Sequence, residues 1–174
     1  MFFSKKQILT LTTPKVGIFN LGGEKTKGLI GSDIVFLRGL FSEVEAGNLV
    51  PPRCDVLFLY AEFTADGTVL GSLLGLREII RDSGAKVVVV ASENSGGSYI
   101  KACKLQRYGR ANLVMTLNRR GSAFGQFFMT LFSKMKSGIS MPVAWNELAP
   151  QIPGEVHPDC PAMIFACEIG QLSF

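Results

Sequence analysis

The chain is poor in residues that commonly carry chemistry: its 174 residues include one histidine, His157, and one tryptophan, Trp145. Its four cysteines, Cys54, Cys103, Cys160 and Cys167, contain no Cys-x-x-Cys pair. A zinc site is therefore not expected, and no cofactor is called for. Thiols scattered in this way read as reduced cysteines of a cytoplasmic protein. No run approaches the roughly 18 apolar residues that a membrane span requires. The opening Met-Phe-Phe-Ser-Lys-Lys-Gln-Ile-Leu-Thr-Leu is too short and too interrupted for a signal peptide. Neither Gly-x-x-x-x-Gly-Lys-Ser nor Gly-x-Gly-x-x-Gly occurs, and there is no internal repeat.

What remains is an ordinary globular composition, 47% hydrophobic and 18% charged. It predicts one domain over residues 1–174, with residues 1–15 as an edge strand or an N-terminal arm. The net charge of +4 is a mild excess, compatible with an acidic partner but weak as a signal.

The strongest stretch is Gly84 to Gly97. Its four valines, Val87 to Val90, are apolar on both faces, as in the central strand of a parallel sheet covered on both sides. The polar segment Ser92-Glu93-Asn94-Ser95-Gly96-Gly97 then lies past the carboxyl end of that strand, where open α/β sheets place their chemistry. Further strands are expected at Gln7 to Thr12, Val16 to Asn20, Val56 to Tyr60, Ala111 to Leu117 and Ala162 to Ile169. Helices are expected from a Ser32 cap to Gly47, from Ser72 to Ser83 with Leu73, Leu74, Leu76 and Ile80 inward, and from Tyr99 to Tyr108. A helix capped by Ser122 carries the stripe Phe124, Phe127, Phe128, Leu131, Phe132 and Met135, and another starts at Ser140. Glu24 to Lys27 reads as loop, and prolines 150, 153, 158 and 161 break the chain before the last strand. Alternating strands and helices give a three-layer α/β sandwich with a mostly parallel central sheet, flavodoxin-like in outline.

The order of these elements resembles the CHAT domain, a bacterial relative of the caspases. In that family one strand ends in His-Gly, and the next ends in a Ser-Ala-Cys-Glu-Thr-Gly-like segment that carries the nucleophile. Here the corresponding ends are Leu57-Phe58-Leu59-Tyr60-Ala61-Glu62-Phe63 and Val89-Val90-Ala91-Ser92-Glu93-Asn94-Ser95-Gly96. Downstream, Ala111 to Asn118, Phe128 to Lys136, Ser137-Gly138-Ile139-Ser140, Ala144 and Pro158 to Gly170 follow the family's succession. The resemblance covers roughly residues 16–170. It places Glu62 at the histidine's position, Phe63 at the glycine's and Ser92 at the cysteine's, with Glu93 matching the family's glutamate. A cysteine peptidase needs an imidazole to activate its thiol, and neither group stands where the family has it. The resemblance thus implies a caspase-like domain with a degenerate dyad, acting through protein contacts or self-association as a scaffold or regulator.

Other readings compete with this one. Glu62 as base for a Ser92 nucleophile would make an active hydrolase, but a carboxylate with a pKa of about 4.3 accepts a hydroxyl proton poorly. Ser92, Asn94, Ser95, Gly96 and Gly97 could form an anion- or nucleotide-binding turn, which Glu93 would oppose; the bland alternative is a flexible turn left by a lost active site. Lys101, Lys104, Arg107 and Arg110, with Arg119 and Arg120 nearby in sequence, form a basic face, either solvated or open to nucleic acid or an acidic protein surface. His157 with Cys160 reads as a loop histidine beside an inward-facing cysteine. The phenylalanine stripe is core, with room for an exposed patch at an oligomer interface.

Overall fold

The computed structural model describes residues 9–47, 49–104, 110–149 and 160–174. Six strands form the central sheet: β2 (Val16–Asn20), β3 (Val44–Gly47), β4 (Val56–Tyr60), β5 (Val87–Val90), β6 (Asn112–Asn118) and β7 (Ala162–Ala166). Their order is β3-β2-β4-β5-β6-β7; the first five run parallel, and β7 lies antiparallel on the far edge. The valine strand β5 sits inside the sheet, between β4 and β6. The expected three-layer sandwich with a mostly parallel sheet is the architecture observed.

Each buried strand sends alternate residues to opposite faces, and two helix layers receive them. On one face α1 (Lys27–Leu40), α4 (Ala123–Lys136) and α5 (Met141–Leu148) cover Ile18, Phe58, Val87, Val89 and Val114. On the other, α2 (Leu76–Ser83) and α3 (Gly96–Lys104) cover Phe19, Leu57, Leu59, Val88 and Val90. The first layer is aromatic: Phe58 meets Phe36, Phe128 and Phe132 edge-on at 5.6 to 6.2 Å between ring centroids. Trp145 stacks on Phe165 of the edge strand at 4.8 Å. The phenylalanines of α4 are all buried, so the stripe forms core and no exposed phenylalanine patch.

Several sequence expectations need correction. Glu24 to Thr26 is not loop: Gly23–Thr26 forms a 3-10 turn leading straight into α1, which begins five residues before Ser32 and ends at Leu40. Ser32 is no cap, because its hydroxyl donates back to Gly28 O within the helix (3.2 Å). The residues expected to finish that helix instead form strand β3, whose Val-Glu-Ala-Gly sequence has no strand signature and which is held by its ladder to β2. Helix α2 starts at Leu76, not Ser72, and Leu73 is fully exposed instead of inward. Helix α3 starts at Gly96, and its expected end at Tyr108 and Gly109 lies outside the described residues, as do Pro150, Pro153 and Pro158. The last large strand stops at Ala166. Ser122 flanks α4 without a side-chain capping bond. The expected first strand is an arm off the main sheet: β1 (Leu9–Thr10) pairs in parallel with β8 (Leu172–Ser173).

Candidate functional site

Strands β4 and β5 are parallel neighbours with Leu59 opposite Val90, so the segments beyond them leave the same edge of the sheet. Glu62 follows β4, Ser92 and Glu93 follow β5, and all three line one cleft of about 820 Å³. Its walls are α1, through Leu29 and Phe36, and the first turns of α4, through Gly125 and Met129. The turn after β6 completes it: Arg120 (φ 52°) and Gly121 (φ 61°) adopt left-handed backbone and turn the chain back into α4.

Under the cleft lies a buried polar network that joins three distant parts of the chain. The guanidinium of Arg119 grips Asp33 with two donors, Nη1 to Oδ2 (3.0 Å) and Nη2 to Oδ1 (2.6 Å). Nη1 also donates to Ala91 O (2.9 Å), and the guanidinium lies 3.7 Å above the ring centre of Phe124. Tyr60 Oη donates to Asp33 Oδ2 (2.6 Å). Burial, and then the Asp33 charge, push the Tyr60 hydroxyl well above the ordinary tyrosine pKa. A planar bidentate pair satisfied on all sides is the arrangement in which arginine tolerates burial. Sequence reasoning missed Asp33 and Tyr60 as site residues and set Arg119 only beside a basic face. Asp33 does carry a signal, because it occupies the slot of an apolar residue in the stripe Leu29, Phe36, Leu37 and Leu40.

Glu93, matched by the resemblance to the family's glutamate, accepts a hydrogen bond from Arg119 N (2.8 Å) and so ties the end of β5 to the β6–α4 turn. Glu62 reaches Lys25 Nζ at 3.5 Å, in a pair whose side chains are 50% and 81% exposed. Ser92 is buried, and its Oγ has no hydrogen-bond partner among the described residues; Thr116 Oγ1 is in the same state. Among the described residues, therefore, no base meets the Ser92 hydroxyl. A nucleophilic serine needs one within hydrogen-bonding reach.

The turn after Ser92 is filled with internal bonds and is not a loose remnant. Asn94 Oδ1 accepts from Phe63 N (2.8 Å), and Asn94 Nδ2 donates to Ala61 O (3.0 Å), clamping the two strand ends together. Tyr99 Oη donates to Thr116 O (2.8 Å) from beneath. Ser95 Oγ accepts from Ser98 N (3.2 Å), which caps α3 and occupies a donor that an anion would need. Gly96 and Gly97 belong to the first turn of that helix. Lys101 and Lys104 are exposed on α3. Arg110 precedes β6 at the opposite edge of the sheet, and Arg107 lies outside the described residues.

The thiols stand apart from the cleft. Cys54 is buried just before β4, at the sheet edge opposite Glu62, and burial pushes its pKa up to about 12. Cys103, on α3, and the half-buried Cys160 are also raised by burial, as is Cys167. None of the four is shifted toward the reactive thiolate. His157 lies outside the described residues. Among the described residues no helix is long and apolar enough to cross a membrane, and no group of three or more His, Cys, Asp or Glu could hold a metal ion. Compared with known proteins, the chain matches no family model, no curated protein and no solved structure.

Proposed function

We propose that this is a CHAT-like, caspase-like domain without peptidase activity, which works through protein contacts as a scaffold or regulator. The reading draws support from the three-layer sandwich and from the neighbouring ends of β4 and β5, which bring Glu62 and Ser92 to one cleft. The observation that carries it is the isolation of the Ser92 hydroxyl, which is buried and has no hydrogen-bond partner among the described residues. Of the carboxylates lining the cleft, Asp33 is held by Arg119 and Tyr60 and Glu93 by Arg119 N, while Glu62 makes an exposed 3.5 Å contact with Lys25. A peptidase at this place would need a general base on the nucleophile and an acid for the leaving amine. The cleft can instead receive a segment of another protein, with Leu29, Phe36 and Met129 supplying apolar contact and Glu62 and Lys25 a polar rim.

The test is incubation of the full chain with a complex peptide mixture, read by mass spectrometry for new termini. We expect no cleavage above background, and no difference between the parent and Ser92→Ala. Cleavage that disappears in Ser92→Ala would replace the proposal with an active serine hydrolase. Cleavage that survives Ser92→Ala and is blocked by a thiol-directed probe would replace it with a cysteine hydrolase whose nucleophile lies elsewhere.

A further inference from the structure

At the amino ends of β2 and β3, away from the cleft, lies a hollow of about 560 Å³. One wall is residues 10–14, which run from β1 toward β2; the other is residues 38–42, where α1 gives way to β3. Leu40, Phe41 and Phe174 make it partly apolar, and the buried Phe41 ring meets Phe174 edge-on at 5.8 Å. No acidic side chain lines it, whereas two cations do. Lys136, the last residue of α4, donates through Nζ to Leu40 O (2.6 Å) and stands 5.8 Å from the centre of the Phe41 ring. Arg38 is exposed and has neither a hydrogen bond nor an ion pair among the described residues.

The carbonyl end of a helix favours a cation, and Lys136 is held in this way by the last carbonyl of α1. Arg38 reaches no such carbonyl, and the acids nearest to it along the chain are both taken, Asp33 by Arg119 (2.6 Å) and Glu43 by Lys15 (2.8 Å). Beside these cations β1 has an open edge. Leu9 N donates to Gln171 O (2.8 Å) and Leu11 N to Ser173 O (2.9 Å), so the residue between them turns its main-chain groups away from β8. That residue, Thr10, is exposed and lines the hollow. Among the described residues no second strand pairs with β1. Thr13 (φ 52°), a β-branched residue in left-handed backbone, then bends the chain off toward β2. An unpaired strand edge beside a hollow is a template to which an extended segment adds.

We propose that this hollow receives an extended acidic segment of a partner protein, which adds as a strand to the open edge of β1 and sets a carboxylate beside Arg38 and Lys136. Charge complementarity selects the segment, since a carboxylate meets two cations and no competing acid, whereas a basic segment meets two like charges. Lys136 keeps ammonium donors beyond the one spent on Leu40 O. Side chains alternate along a strand, so every second one can reach the hollow while those between stay in solvent. The inference is independent of the function proposed for the cleft, which opens at the carboxyl ends of the strands.

The experiment is fluorescence polarisation of a labelled Val-Glu-Val-Glu-Val-Glu peptide with the full chain. Beside it run the Val-Lys-Val-Lys-Val-Lys counterpart and an N-methylated copy of the acidic peptide, which keeps the charge and cannot donate main-chain hydrogen bonds. We expect saturable binding of the unmethylated acidic peptide alone. Its affinity should fall by about fivefold or more in Arg38→Gln/Lys136→Gln and stay unchanged in Lys101→Gln/Lys104→Gln, whose cations lie on α3. Arg38→Gln, exposed and unbonded, should melt at the parent's temperature; should the double variant melt lower, the single one decides, with an expected loss of about twofold or more. Absence of binding, equal binding of the acidic and basic peptides, or parent-like affinity in the deciding variant overturns the proposal. Equal binding of the N-methylated copy overturns it in favour of a plain anion site. A dimer of the chain alone that Arg38→Gln dissociates, read by sedimentation, overturns it in favour of self-association at this edge.

Discussion

Two ion pairs belong to the same cleft and are built on opposite principles. Arg119 and Asp33 are 9% and 2% exposed by side chain, meet through two donors, and have further bonds to Ala91 O and Tyr60. Lys25 and Glu62 are 81% and 50% exposed and meet at 3.5 Å through one contact. In water a pair of the second kind gains little, since solvent and salt already screen both charges. In the interior a charge without its partner is expensive, so the first kind matters through what its loss would leave behind. The buried pair therefore sets the shape of the cleft floor, while the exposed pair is free to exchange its partner for an incoming group. The position that the family resemblance gives to a catalytic histidine falls on the exposed pair.

The largest effect should come from Arg119→Met, which strands Asp33 in the core and is expected to cost about 3 to 5 kcal/mol of stability. Urea unfolding would measure it. Adding Asp33→Leu should recover part of the loss, because it removes the stranded charge while leaving Tyr60 Oη and Ala91 O without these partners. A loss below about 1 kcal/mol in Arg119→Met would place the buried pair in the same class as the exposed one and break the comparison.

Tyr60→Phe comes next, removing one charge-assisted bond to Asp33 at an expected cost of about 1 to 2 kcal/mol near neutral pH. Its pH dependence sharpens the point. The folded-state pKa of Tyr60 is raised, mainly by burial, so the folded state holds this proton more tightly than the unfolded chain does. Stability is thus fully present below the ordinary tyrosine pKa of about 10 and falls as pH rises above it. Tyr99, raised by burial too, contributes in the same direction. Tyr60→Phe should be less stable than the parent at pH 7 and should lose stability less steeply above about pH 10, read by unfolding at stepped alkaline pH.

The sequence carries this architecture unevenly. Val87 to Val90 reads as an interior strand because four consecutive valines are apolar on both faces, as Val56 to Tyr60 is too, and the α4 stripe reads as core because six large side chains recur at helical spacing. The meeting of Glu62 and Ser92 was legible for a topological reason: parallel strands with helical crossovers all end on one edge. Asp33 left only the trace of a carboxylate in an apolar stripe, whose meaning appears once the arginine 86 residues further on is seen to meet it. Strand β3 was hidden for a related reason, because its hydrogen bonds are to β2 and its own residues carry no alternation. Pairwise partnership over long separations leaves little trace in local hydropathy, whereas periodicity leaves a strong one.

Ser92→Ala separates burial from usefulness. The hydroxyl is buried without a partner among the described residues, so removing it relieves a desolvation cost, and stability should stay level or rise by up to about 1 kcal/mol. A thermal melt of the variant checks this. A drop comparable to that of Tyr60→Phe would mean that the hydroxyl has a bonded partner in solution and belongs with the buried network.

The smallest effect, and the one that completes the contrast, is expected for Glu62→Gln. With both partners largely in solvent, the pair contributes by attraction through water and loses side-chain freedom in return, so the change should stay within about 0.5 kcal/mol. Any residual effect should vanish as salt is raised to about 1 M, where screening acts over about 3 Å. The Arg119→Met loss should persist under the same conditions, because ions do not reach a guanidinium walled in by Phe124, Ala91 and Asp33. Parallel urea titrations of the two variants at low and high salt would show one difference collapsing and the other standing. Were Glu62→Gln to cost as much as about 2 kcal/mol, Glu62 would have to hold a second, shielded partner in the cleft.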